Sequence, residues 1–284
     1  MQPDSKLTVE LTLTEGVRLL TQDTAHLDAV ILLEHATSQS REWLLSHGRT
    51  EMDDAELAHY RQLIRRRASG WPVAYLVGRK EFYGREFLVN QDVLIPRPET
   101  EVLVEEAIRL TEPGDTVVDV GTGSGCIAVT VAAEGVALSV IGVDISRAAL
   151  DVAKANARKH EQEVVWIEAD AWPDQLPADP AKTIVIANLP YVTDAVYTVS
   201  GSIKHEPELA FRGGSDGLDV IRKLQDKLRS QRFYPKALLL ELDPSQVAVV
   251  RRGAWGTTRI LSDLAGRQRV AVIEDGPSVR PDGL

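Results

Sequence analysis

The stretch TVVDVGTGSGC, residues 116–126, decides the fold of this chain. A β-favouring run enters glycines at 121, 123 and 125, and the helix-compatible run Cys126–Glu134 follows. A strand that turns through glycines into a helix brings backbone close to whatever binds at the strand end, because glycine takes positive φ and carries no side chain. The spacing is GxGxG. Cys126 stands where the third glycine of a dinucleotide loop belongs, and the GK[ST] of a phosphate-binding loop is missing. The loop therefore predicts a nucleoside-type ligand with no need for phosphates.

Around this loop the chain alternates. Apolar runs at 139–144, 164–169, 183–187, 237–242, 258–261 and 269–274 join 116–120 as strands, and helical stretches such as Arg147–Lys159 separate the early ones. Near-continuous apolar strands alternating with helices predict an α/β sheet, mostly parallel and covered on both faces. The last connection, LAGRQR, is too short for a parallel crossover and predicts an antiparallel final pair.

Upstream the pattern differs. Thr24–Glu34 places Leu27, Val30, Ile31 and Leu33 at helical spacing, Ser40 can cap the short run REWLLSH, and Asp53–Arg67 puts Leu57, Tyr60 and Ile64 on one face. A small helical bundle over residues 1–80 is expected. From Ser69, Gly and Pro punctuation around Phe82 and Phe87 reads as a β-hairpin, giving a linker at 81–95 before a second domain at 96–284. A length of 284 residues accommodates two domains of this size.

Candidate ligand residues stand at successive strand ends. Asp144 ends the second strand of the sheet and can accept hydrogen bonds from both hydroxyls of a ribose. Asp170, followed by Ala171 and Trp172, ends the third; its carboxylate can meet an adenine amino group and the indole can pack on the base, although Trp172 can equally serve as packing. With Gly121, Thr122, Gly123, Ser124, Gly125 and Ile145, these residues describe a nucleoside site with no need for phosphate; S-adenosylmethionine, which carries adenine, ribose and a sulfonium in place of phosphates, fits it. The fourth strand ends in Asn188-Leu189-Pro190-Tyr191. The Asn188 amide oxygen and a backbone carbonyl such as that of Leu189 can accept both protons of a planar NH₂ group. Pro190 stiffens the turn and Tyr191 offers a ring to cover a flat group. An amide and a nucleobase amine both fit.

The chain resembles the HemK-type release-factor glutamine N5-methyltransferase family. The resemblance rests on D-A-x-x-L-L at 28–33, G-x-P-x-x-Y-x-x-G at 70–78, VLIPRPETE at 93–101 and VVDVGTGSGCIAV at 117–129. It continues through DIS at 144–146, Asn156-Ala157, EPxxA at 206–210, GGxDGL at 213–218 and DLxGxxR at 263–269. It implies a Rossmann-like class I methyltransferase sheet of seven strands with an N-terminal helical domain that docks the substrate. It also implies methyl transfer from S-adenosylmethionine, yielding S-adenosylhomocysteine, to the glutamine of the GGQ motif of class I peptide-chain release factors. The same resemblance puts Gly121–Gly125, Asp144 and Trp172 on cofactor positions and Asn188–Tyr191 on the substrate motif. One departure stands out: the family usually reads Asn-Pro-Pro-Tyr, and Leu189 replaces the first proline. Asn-Leu-Pro-Tyr also resembles rRNA adenine dimethyltransferases. An adenine N6-methyltransferase of RNA or DNA and a ribosomal-protein glutamine methyltransferase are thus the alternatives, with a cofactor-binding protein that has lost catalysis as a third.

Composition narrows the classes. With 44% hydrophobic and 26% charged residues the chain is an ordinary globular protein, which excludes disordered, collagen-like and coiled-coil classes. A net charge of −10 argues against stable nucleic-acid binding and favours glutamine over adenine. A single Cys126 excludes an internal disulfide and a multi-cysteine zinc site, and the six histidines form no ligand pair, so no metal is expected. No basic, apolar leader and no membrane span are evident, so the cytoplasm is the expected compartment; a monomer is expected. Cys126 reads as a small core residue, and the tail 275–284 as loose. Arg65–Arg67 can touch ribosomal RNA or an acidic partner face or, the favoured reading, simply end a helix in solvent, and Arg97 or Glu99 can shape a substrate mouth or start a helix.

Overall fold

The computed structural model describes residues 7–136, 138–199 and 204–274. The tail 275–284 lies outside the described residues. The chain divides at Arg79/Lys80 into two compact units. Among the described residues, no helix is long and apolar enough to cross a membrane, and no group of three His, Cys, Asp or Glu is placed to hold a metal ion.

The first unit is helical: α1 (Val9–Leu19), α2 (Ala25–Thr37), α3 (Arg41–Ser46), α4 (Asp54–Ala68) and α5 (Val73–Val77). Side-chain caps start three of them, from Thr8 to Leu11 N, Ser40 to Trp43 N, and Asp53 to Ala55 N and Glu56 N. The core gathers Leu32, Leu33, Tyr60, Ile64 and Leu76. The apolar face of α2 is rotated from the expected one: Leu27 is 47% exposed, while Ala29, Val30, Leu32 and Leu33 are buried. Asp28 is buried with them because Arg67 Nε donates to its Oδ2 at 2.7 Å. Arg66 stacks over Trp71 at 4.1 Å. Two of the three arginines at 65–67 are therefore used within the unit, where the sequence left open contact with a partner or a solvated helix end. Residues 73–77, expected in the hairpin region, are helical instead.

The second unit opens on the hairpin, β1 (Arg79–Phe82) and β2 (Arg85–Leu88), then continues through α6 (Glu101–Leu110), β3 (Thr116–Val120), α7 (Cys126–Glu134), β4 (Ser139–Asp144), α8 (Arg147–Lys159) and β5 (Val165–Glu168). It is completed by β6 (Thr183–Ala187), α9 (Asp194–Val199), α10 (Asp219–Ser230), β7 (Ala237–Glu241), α11 (Val247–Gly253), β8 (Thr257–Ser262) and β9 (Gln268–Glu274). The stretch 81–95 is not a separate linker: Phe82 and Phe87 are fully buried among Leu103, Val104 and Ala107 of α6. At 98–100 a 3-10 turn with proline in its first positions leads into α6, so the Pro-rich string is a helix start.

Seven strands form one Rossmann-like sheet in the order β5-β4-β3-β6-β7-β9-β8. Strands β3 to β7 are parallel; β9 runs antiparallel to both β7 and β8, as the short last connection predicts. Alternation along the strands makes two cores. Val118, Val120, Val185 and Leu240 pack with Ile221, Leu224 and Leu228 of α10; Val117, Ile184, Ile186 and Leu239 pack with α6 and α7. Cys126 is part of the second core. Strand order reverses where β4 and β6 flank β3, and a crevice forms at the carboxyl ends of the strands at such a point.

Candidate active site

The glycine loop is built by β3 and held by its neighbour strand. Gly121 N and Thr122 N both donate to Val143 O, at 2.8 and 3.0 Å. Gly121, Gly123 and Gly125 all take positive φ. A Cβ on Gly125 would meet Ala153 at 3.0 Å, so helix α8 closes on the backbone there. Beneath the loop, Asp119 Oδ2 accepts from Thr122 Oγ1 at 2.6 Å and from Ala128 N at 3.1 Å. Asp119 is fully buried and its Oδ1 has no hydrogen-bond partner among the described residues. Burial pushes its pKa up to about 7, against the pull of Thr122 and Ala128.

Asp144 at the end of β4 spans loop and helix. Its Oδ2 accepts from Gly123 N at 2.9 Å and its Oδ1 from Ser146 N at 2.8 Å. Burial holds its pKa above the usual carboxylate range, opposed by backbone N–H groups of Ser146, Gly123 and Ile145. Each oxygen keeps a further lone pair, so two outside donors can still be received.

A cleft of about 570 Å³ opens over these groups. Gly121, Gly123, Asp144, Ile145, Asp170, Ala171, Asn188, Leu189 and Pro190 all line it. Thr122, Ser124, Gly125, Trp172 and Tyr191 do not; Thr122 and Ser124 are buried in the loop's own packing. The correction at Trp172 has a local cause. Trp172 N donates to Asp170 O at 2.9 Å across Ala171, whose φ is +64°: a γ-turn with a left-handed centre, a strained form. The turn sends the indole into the core, where it is 0% exposed, contacts Phe233 and donates from Nε1 to Gln231 Oε1 at 3.1 Å. Trp172 is a core residue and does not face the cleft. The Asp170 carboxylate lines the cleft but is ion-paired with Lys223.

The turn after β6 is strapped by residues far along the chain. Gly213 N donates to Val192 O, Val192 N to Phe211 O, and Asp194 N to Gly214 O. Gln246 Nε2 donates to Tyr191 O at 2.9 Å and to Asp216 O at 3.1 Å. A Cβ on Gly217 would stand 2.2 Å from Tyr191 O, which explains the glycine in that loop. The buried Leu189 side chain packs against Gly121. These contacts supply the rigidity that a proline at 189 would otherwise give.

Asn188 Nδ2 donates to Thr100 Oγ1 at 3.0 Å, and Tyr191 Oη donates to Glu241 Oε1 at 3.1 Å. Tyr191 thus faces β7, where its pKa is raised by burial and by Glu241. Glu241 is itself buried, which raises its pKa, while Thr100, Tyr191 and Arg269 pull it down. Neither Thr100 nor Glu241 was singled out from sequence. The signal for Glu241 was a lone carboxylate closing the fully apolar run ALLL. On the far rim, Glu206 accepts from Ile95 N at 3.1 Å and from Arg97 Nη2 at 2.6 Å, tying 206–210 to the Pro-rich string.

Comparison with known proteins gives the family. Residues 12–78 match the PrmC N-terminal domain and residues 117–201 a methyltransferase domain. The chain is 39% identical over 252 residues to the release factor glutamine methyltransferase of Neisseria gonorrhoeae, covering 87% of this chain and 92% of that protein. It is 41% identical to the enzyme of the same name from Xylella fastidiosa strain 9a5c, covering 90% and 96%. Among solved structures, the hMettl16 catalytic domain in complex with the MAT2A 3'UTR hairpin 6 is similar in fold, with a TM-score of 0.51 at 14% identity over 77% of this chain and 84% of that one.

Proposed function

Because the chain belongs to the release factor glutamine methyltransferase family, we propose that it methylates the side-chain amide nitrogen, N5, of the GGQ glutamine in class I peptide-chain release factors. One observation carries this reading: Asn188, Leu189 and Pro190 line the same cleft as Gly121, Gly123 and Asp144. A planar-amine acceptor and a nucleoside site therefore share one cavity.

The residues present fit S-adenosylmethionine. Asp144 keeps lone pairs for the ribose hydroxyls. Gly123 lines the cleft, and a Cβ there would meet nothing closer than Gly121 O at 4.0 Å, so a side chain would take space the ligand needs. Ala169, Asp170 and Ala171 offer a wall for the base. When bound, S-adenosylmethionine supplies a sulfonium methyl whose C–S bond breaks as the amide nitrogen attacks, leaving S-adenosylhomocysteine. The chain's own part is to orient a weak nucleophile. Asn188 Oδ1 and Leu189 O accept no hydrogen bond from the described residues. They are available to the two N–H bonds of the target amide, which holds its nitrogen in place and favours the positive charge that grows there. A sulfonium is already a good leaving group, so no strong base has to remove a proton before transfer; the methylated nitrogen then gives up one of its protons to solvent, leaving the neutral N-methyl amide.

The helical unit is the docking surface in this reading. The release factor is the partner, and the cytoplasm, where translation ends, is the compartment. The test uses labelled S-adenosylmethionine with a purified release factor, with and without Gln→Ala in its GGQ. Label on the wild-type factor alone is expected. Label that persists on the Gln→Ala factor, or appears on RNA instead, overturns the reading in favour of another protein site or an adenine.

A further inference from the structure

The wall of the cleft at 169–171 is built on a turn that an alanine does not favour. Ala171 has φ +64°, and Asp170 and Ala171 both line the cleft. Ala169 N donates to Asp144 O at 3.0 Å, which sets the turn beside the carboxylate assigned to the ribose. A left-handed centre at a residue other than glycine persists only where its surroundings over-determine it. On one side the buried Trp172 anchors the turn in the core. The remaining hold comes from a single helix, 53 to 59 residues further along.

Lys223, Lys227 and Gln231 are spaced four apart on α10 and its C-terminal cap, so they form one row along the helix. All three bond to residues 170–173. Lys223 Nζ donates to Asp170 Oδ2. Lys227 Nζ donates to Asp170 O and to Trp172 O, each at 2.9 Å, and so bridges the two ends of the turn. Gln231 Nε2 donates to Pro173 O at 2.9 Å. Asp170 O also receives Trp172 N, so both of its lone pairs are used. Helix α10 seats itself in the core through other positions, Ile221, Leu224 and Leu228, and does not need this row for that purpose.

We propose that Lys227, with Lys223 beside it, is a positioning residue: it holds the 170–172 turn so that the Asp170 carboxylate faces the edge of the cofactor's base, and α10 thereby sets the preference of the site for adenine. A carboxylate only accepts hydrogen bonds. The adenine amino group donates, whereas hypoxanthine presents a carbonyl oxygen, a second acceptor, at the same place. The direction of Asp170 therefore decides between the two bases. The proposal rests on S-adenosylmethionine as the cofactor and not on the identity of the methyl acceptor.

Lys227→Met keeps an unbranched apolar stem and removes the N–H donors. Two measurements on the full chain test the idea, and neither uses a release factor. The first is hydrogen exchange of segment 170–173 in the ligand-free protein. Faster exchange is expected there in Lys227→Met, with α10 and the sheet at their wild-type rates. Wild-type exchange in the segment, or acceleration spread over the whole chain, overturns the proposal. The second is calorimetric titration with S-adenosylhomocysteine and with its deaminated analogue, in which hypoxanthine replaces adenine. The wild type is expected to prefer adenine by about 10- to 100-fold, and Lys227→Met to narrow that preference to about threefold or less. Asp170→Asn, whose amide can also donate, should narrow it in the same way. A lysine that merely supports the fold would weaken both ligands alike and leave their ratio unchanged, and that result overturns the proposal, as does a wild type with no base preference. Failure of the wild type to bind either ligand overturns it together with the cofactor reading. A wild type that shows the preference and its loss in Lys227→Met, yet leaves release factors unlabelled, supports the proposal and counts against the substrate reading alone.

Discussion

Leu189 and Gly121 fit each other: a Cβ placed on Gly121 would lie 2.9 Å from Leu189 Cδ2. The glycine loop and the reaction turn are thus in direct packing contact, and a change on one side is felt on the other. Gly121 also has φ +73°, which costs a side-chain-bearing residue about 1–2 kcal/mol by itself. Gly121→Ala is expected to weaken binding of S-adenosylmethionine by at least about tenfold, measured by calorimetry. Gly114→Ala, at φ +88° with nothing within 4 Å, is the control for backbone strain and should leave cofactor affinity unchanged.

Asp144 gives a pH prediction. Its pKa is raised by burial. The ionised form is the acceptor for ribose hydroxyls, so cofactor affinity is full above the raised pKa and falls as pH drops through it. That acid limb should lie above the ordinary carboxylate range. Asp144→Asn should remove the limb and weaken binding by about 10- to 100-fold, the worth of one or two charged hydrogen bonds. An Asp144→Asn protein that binds as tightly as wild type would take the ribose off Asp144.

Asp119 affects stability in the opposite direction to a paired carboxylate. Its pKa rises from 3.8 to about 7 in the folded chain. Between those values the folded state binds more protons than the unfolded state, so stability is highest below the unfolded pKa and is lost as pH rises toward 7. The full effect is on the order of 4 kcal/mol. Thermal melts of the cofactor-free protein from pH 4 to pH 8 should show this decline, and Asp119→Asn should flatten it.

Trp172 separates packing from recognition. As a core residue, Trp172→Ala should cost about 3–5 kcal/mol of stability. Trp172→Phe keeps most of the packing and loses the bond to Gln231, for about 1 kcal/mol. Cofactor affinity of Trp172→Phe should match the wild type; a marked loss with an unchanged melting temperature would return the indole to the cleft.

The parts legible in sequence were those with short-range signals. The five inner sheet strands announced themselves as apolar runs, because a strand covered on both faces needs apolar residues at nearly every position, while the edge strands β5 and β8 are less buried and carry a mixed pattern. The GxGxG loop and Asn188–Tyr191 were legible for a related reason: each directly follows such a run. Helices α1 and α10 are not among the elements the sequence pattern names, although Ile221, Leu224 and Leu228 stand at helical spacing in α10. Trp172 could not be placed, because its direction follows from the left-handed turn at Ala171, which nothing in an alanine foretells. Thr100 and Glu241 were out of reach for another reason. Residues 100 and 188, and likewise 191 and 241, become neighbours only once α6, β6 and β7 are packed together.

The strap on the reaction turn has a consequence for the order of assembly. The loop at 121–125 is held by β4 and α8, so a chain that has emerged as far as Lys159 already contains the partners it needs. Residues 188–191 are held by 211–217 and by Gln246, which arrive 20 to 58 residues later. Contacts between distant segments form late, because the intervening chain must close first. A growing chain thus gains the means to hold a nucleoside before it gains a fixed place for the group to be methylated.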